Sequence, residues 1–208
     1  MKRIIYLLLA ISFVACETKE NFIDTGISDG TFEGSMYAYM QQDSYNWDST
    51  LLVINRAGLD DLFKGDDPDY PQITFWGPTS YSIIRYMLQH SPQYNSVSEI
   101  PIDECREMIL DHVVEGRYMK ADIAFRNPDY LIHDDEQDGG TEFTCLGENE
   151  IIAYKEQEAY GGVDNAGPIV LYLYSFTKFT QVPLASPDIQ TDNGVVHSLN
   201  YNYTFGNI

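Results

Sequence analysis

Few side chains in this sequence could do chemistry, and their spacing limits what that chemistry is. Of four histidines, His90 and His133 stand alone in polar surroundings. His112 ends an apolar run, and His197 shares strand parity with Leu199 and Tyr201, so both are expected as buried, hydrogen-bonded structural histidines. Gly26-Ile27-Ser28-Asp29-Gly30 spells GxSxG, but a nucleophile elbow needs a buried strand before the serine and a helix after it, and neither pattern flanks it. Asp134-Asp135-Glu136-Gln137-Asp138-Gly139-Gly140 begins like a calcium loop, with carboxylates at positions one, three and five and glycine at six. It then places Cys145 where a bidentate glutamate belongs. The expected reading is a solvated acidic loop, and no metal or cofactor is expected. No HExxH, GxGxxG or Walker pattern occurs, so no catalytic residues are assigned.

The three cysteines divide by position. Lys2 and Arg3 precede the apolar stretch Ile4 to Val14, and Phe13-Val14-Ala15 leads into Cys16, an arrangement similar to a bacterial lipoprotein signal. Eleven apolar residues are too few to span a bilayer as a helix, so residues 1–16 are expected to be a lipoprotein signal segment whose last residue, Cys16, becomes the lipidated first residue of the mature chain. Glu17 and Glu20 resemble the acidic export signal of Bacteroidetes surface lipoproteins. An outer-membrane, lipid-anchored location at the cell surface is therefore expected. Cys105 and Cys145 could pair in an oxidising compartment, or Cys105 could be a buried thiol on the stripe Ile102, Cys105, Ile109, Val113.

Behind these groups the elements follow from periodicity. Residues 17–33 are polar and lack a period, as a flexible tether would. From Gly34 the first half is helical by pattern: Met36 to Met40, then Ser49 to Phe63 with an interruption at Gly58. A further helix carries Ile83, Ile84, Met87 and Leu88, and another opens at Pro101 and runs toward Gly116. Between them Ile73-Thr74-Phe75-Trp76 is a short strand stopped by Gly77-Pro78. The second half alternates instead: Thr141 to Leu146 and Ile151 to Tyr154 flank a Gly147-Glu148-Asn149 hairpin, Ile169 to Phe179 suits a central strand, and Val195 to Phe205 places apolar residues on one strand face. Helices followed by antiparallel strands give an α+β domain over residues 34–208.

Composition bounds the function. The chain has 208 residues, 44% hydrophobic, enough for a packed core, and a formal charge of −20. That charge repels polyanions and argues against nucleic acid as a partner. Sixteen tyrosines suit half-wet binding surfaces, with Tyr81, Tyr86 and Tyr94 as candidate anchors.

Four ordered segments resemble the fasciclin (FAS1) domain family. Ile73-Thr74-Phe75-Trp76-Gly77-Pro78-Thr79 is similar to its TxFAPT strand-and-turn motif, with Trp76 and Gly77 in place of the usual Phe and Ala. Ile109 to Tyr118 is similar to LxYHVVxGxY, with Asp111 in place of tyrosine before His112. Thr144-Cys145-Leu146-Gly147 matches the Thr-x-x-Gly hairpin, and Asp192 to Asn200 matches NGVVHxID, with Asn200 in place of aspartate. The resemblance implies a wedge-shaped β-sandwich with several helices packed along one side, acting as a non-catalytic adhesion or protein-interaction module. Because Asp111 breaks the Tyr-His pair, the integrin-contacting role proposed for it in animal members is not carried over. The alternative is an accessory glycan-binding component of an outer-membrane nutrient-uptake system. The partner expected is thus an extracellular or outer-membrane protein, or a glycan.

Overall fold

The computed structural model describes residues 30–208. Cys16, the signal-like segment and Ser28 of the GxSxG pentapeptide lie outside the described residues. Five α-helices occur among those described: α1 (Met36–Gln42), α2 (Ser44–Arg56), α3 (Asp60–Lys64), α4 (Ser80–Gln89) and α5 (Ile102–Leu110). The strands are β1 (Ile73–Gly77), β2 (Val113–Glu115), β3 (Thr141–Thr144), β4 (Glu150–Gln157), β5 (Ile169–Ser175), β6 (Thr180–Thr191) and β7 (Gly194–Leu199). They form one sheet in the order β2-β1-β7-β6-β5-β4-β3. β1 and β7 are parallel, and every other neighbouring pair is antiparallel. The α+β class is as the sequence predicts.

Strand parity sorts the core into layers, because successive side chains leave opposite faces of a strand. Ile73, Phe75 and Val196 point to the helices and join Trp47, Ile54, Phe63 and Ile83 in one cluster. Trp76, Val114 and Leu199 leave the other face and meet Phe143, Ile151, Leu173 and Val182 from the β3–β6 half. The sheet therefore folds over on itself as a sandwich, with the helices along one outer side. β6 makes this possible. Its first residues pair with β5 through Tyr172–Pro183 and Leu173–Val182, its last with β7, and register shifts between Leu184 and Ile189 bend it from one half to the other.

Three expectations need correction. The Pro101 helix stops at Leu110 instead of continuing toward Gly116, and Val113 and Val114 form strand β2. β7 ends at Leu199 and is buried on both faces, while Tyr201 is exposed and Tyr203 and Phe205 reach the core from irregular chain. On α4, Ile83 and Tyr86 face the core, whereas Ile84 and Leu88 are exposed.

The two halves of the chain are tied at Asn193. Its Oδ1 accepts from the Met36 backbone N–H at the start of α1 (2.7 Å), and its Nδ2 donates to the Phe63 carbonyl near the end of α3 (3.1 Å). One amide thus satisfies backbone groups that both helix ends leave unpaired. Next to it, Gly194 has φ +148, and a Cβ there would overlap the Ile73 carbonyl oxygen. Gly194 is needed for this close approach of β7 to β1. At the leading end, Phe32 N–H donates to Gln190 O (2.7 Å) and Gln190 N–H to Gly30 O (2.6 Å), so the entering chain lies along β6.

Candidate functional site: an exposed tyrosine cluster

The four motif segments meet inside the molecule. Thr74 Oγ1 donates to Gly116 O (2.8 Å) and accepts from Tyr118 N–H (2.9 Å), clasping the first segment to the second. Leu146 N–H donates to Val113 O (2.8 Å), which fastens the third to the second. Both histidines complete the junction. His112 Nδ1 faces Met108 O at 2.6 Å and its Nε2 faces the Tyr203 hydroxyl at 2.8 Å. His197 Nε2 lies 2.9 Å from Tyr118 O, its Nδ1 accepts from Asp188 N–H at 3.1 Å, and its ring stacks on Trp76 with centroids 4.7 Å apart.

These partners fix the protonation state. A carbonyl can only accept, so His112 donates through Nδ1–H and His197 through Nε2–H, and each second nitrogen is left as an acceptor. Burial holds both rings neutral. It pushes His112 down to about 4, and His197 is also lowered, with its bond to Tyr118 opposing the shift. Every ring nitrogen of the pair is committed to a partner within the fold. Both histidines are structural, as the sequence suggests.

Cys105 and Cys145 are free and buried in different core layers. Burial raises both thiols, which keeps them protonated and unreactive. In the acidic loop the organising group is Gln137. Its Oε1 accepts from Asn127 N–H (2.7 Å) and Gly139 N–H (2.9 Å), and its Nε2 donates to the carbonyls of Asn127 and Tyr130, both at 3.1 Å. Asp134 instead accepts from Leu131 N–H. Among the described residues no three His, Cys, Asp or Glu side chains converge as ligands for an ion.

The tyrosines sort differently from expectation. Tyr86 and Tyr94 are buried, and both hydroxyls donate to Glu104, so neither is a surface anchor. Tyr81 is 40% exposed, and it stands between Tyr45 (71% exposed) and Tyr201 (50%). The Tyr45 and Tyr81 hydroxyls are 2.6 Å apart, and this bond is the leading cause that raises the Tyr81 phenol. Ring centroids are 6.0 Å apart for Tyr45–Tyr81 and 5.5 Å for Tyr81–Tyr201, with interplanar angles of 72° and 65°. Arg85 Nη2 donates to Tyr201 O (3.2 Å), fixing the turn that carries the third ring. Tyr81, Ile84 and Leu88 follow at helical spacing on the solvent face of α4, so the three rings continue into an exposed apolar stripe.

No protein-family model matches the chain, and no curated protein matches it. Among solved structures it is similar to a FAS1 domain pair from the insect cell adhesion molecule fasciclin I, at 10% identity and a TM-score of 0.46. The match covers 83% of this chain and 45% of that one, so the chain spans less than half the length of the pair.

Sequence periodicity missed Tyr45 and placed Tyr201 on the core-facing side of the last strand, whereas it is exposed. Tyr45 sits in the first turn of α2, where no apolar stripe marks it. Tyr201 continues the parity of β7 but lies between Asn200 and Asn202, whose side chains favour turns, and Asn200 Oδ1 accepts from Asn202 N–H (3.0 Å). That Asn-Tyr-Asn pattern is the signal that displays the ring outward.

Proposed function

We propose that the chain is a fasciclin-type, non-catalytic cell-envelope lipoprotein that binds another protein through the Tyr45–Tyr81–Tyr201 cluster and the exposed face of α4. The observation that carries this reading is the shape of the cluster. Edge-to-face rings offer no coplanar platform for a flat sugar face, whereas rigid amphipathic tyrosines beside an apolar stripe are effective anchors in protein interfaces. The partner is a protein surface rich in Lys and Arg, because the chain carries a formal charge of −20 and such a field steers and selects basic partners. The four motif segments support the fasciclin reading by the way they interlock, and the commitment of His112 and His197 to internal partners supports a recognition role.

A photo-crosslinker placed at Leu88 of the full chain in intact cells tests the surface. The expected result is one dominant protein adduct that is absent when the crosslinker sits at Lys178. With that protein purified, Tyr81→Ala combined with Leu88→Asp is expected to weaken binding at least tenfold without altering Tm, and raised salt is expected to weaken it further. Equal crosslinking from both positions, or unchanged affinity in the variant, overturns the reading. The anchor has its own test. Intact-mass analysis of the mature protein is expected to show a chain beginning at Cys16 with acyl groups attached. An unmodified amino terminus removes the lipoprotein assignment.

A further inference from the structure

We infer that the outer face of β4, β5 and β6, on the side of the sheet away from the sandwich interior, holds a binding site for a neutral saccharide. The inference is independent of the protein-docking reading, since it uses none of the same residues.

Parity puts Tyr154 and Glu156 of β4, Tyr174 of β5 and Gln181 of β6 on this face, with Tyr174 directly opposite Gln181 in the ladder. The loop organised by Gln137 arches over them and contributes Arg126, Leu131 and His133. Together with Phe179 from the β5–β6 turn they line an open cleft of about 440 Å³, within the range of small-molecule sites.

Two features mark this cleft as built for a ligand. Tyr154 and Tyr174 are only 1% and 5% exposed, yet among the described residues neither hydroxyl makes a hydrogen bond within the protein, while both side chains line the cleft. Neither hydroxyl is among the buried atoms left without a partner, so each oxygen is the part of its side chain that opens to the cleft and can take a ligand's hydrogen bond. At the rim, Phe179 is 78% exposed and held at φ +50, a backbone region that a bulky side chain seldom adopts. A large apolar ring displayed in strained backbone at a cleft mouth is the kind of outlier that points to function.

The lining selects the ligand class. Arg126 Nη2 and Glu156 Oε1 are 2.6 Å apart, so the two charges cancel and no net charge is offered to an ion. The remaining polar groups are phenol, amide and imidazole, which together need a ligand that both donates and accepts. A hydrocarbon would leave the two phenols unsatisfied. An extended peptide would need an open strand edge, and β4, β5 and β6 are each paired on both sides. A sugar ring supplies hydroxyls for the polar groups and a C–H face for the exposed Phe179 ring at the rim. The formal charge of −20 repels acidic polysaccharides, leaving neutral ones.

The test applies the full chain to an array of neutral and acidic oligosaccharides, followed by calorimetric titration of the bound ones. Binding of a neutral saccharide is expected, with Tyr154→Phe and Tyr174→Phe together weakening it at least tenfold. Since each hydroxyl is unpartnered, Tm is expected to stay the same or rise. Leu88→Asp, on the protein-docking face, is expected to leave saccharide affinity unchanged, so either reading can fail without the other. The inference is overturned if no neutral saccharide binds, if only acidic ones do, or if the double variant binds as tightly as the parent.

Discussion

Replacing Gly194 by alanine is expected to destabilise the fold by more than about 4 kcal/mol, a size reserved for a few mechanisms such as forced backbone displacement. The added Cβ would overlap the Ile73 carbonyl oxygen, and that contact is backbone on both sides. Neither strand can yield without opening the parallel β1–β7 pairing that runs from Ile73–Gly194 to Gly77–Ser198. Gly58→Ala separates this effect from simple backbone strain. Gly58 also has positive φ, at +65, but a Cβ there meets nothing within 4 Å. It is expected to cost only about 1–2 kcal/mol, the usual penalty for a left-handed residue. Thermal unfolding of the two variants decides the matter. Similar losses at both positions would show that the β1–β7 approach is not the constraint.

The second large effect is loss of stability in acid. His112 is held at about 4 by burial, against 6.5 in an unfolded chain. Between those values the unfolded state takes up a proton that the native state refuses. The stabilisation is therefore fully present above about pH 6.5 and is lost as pH falls toward about 4, amounting to about 3 kcal/mol for this one group. His197 is lowered by the same cause and adds in the same direction. Asp111 runs the other way. Burial, with Glu107 nearby, raises it to about 6, so below that pH it gains a proton in the native state first and partly offsets the loss. Urea midpoints measured from pH 7.5 down to 4.5 should fall for the parent and fall less steeply for His112→Gln, while Asp111→Asn should steepen the decline. A His112→Gln profile parallel to the parent would mean that this histidine is not the titrating group.

Local pattern carried much of the architecture. The Ile73–Gly77 strand, the Gly58 break between helices and the Gly147-centred hairpin all follow from short-range signals, and each is where turn chemistry and apolar period place it. β6 was not legible, because Pro183 and Pro187 argue against a strand in the middle of a sheet. The structure accommodates Pro187 where the register between Ser186 and Ile189 slips, so the residue that disguises the strand lies at its bend. The exposed half of α4 was hidden for a different reason. Ile83 and Ile84 are adjacent and equally apolar, and the buried side of the helix is the one carrying Tyr86, whose ring packs edge-on against Phe205 from the far end of the described chain. The saccharide cleft draws on residues from 126 to 181, and only the strand register brings Tyr174 opposite Gln181. No spacing rule contains that distance.

The entering segment along β6 gives the molecule a mechanical polarity. Tension applied through the chain ahead of Gly30 meets the backbone bonds joining Gly30 and Phe32 to Gln190 before it reaches the first helix.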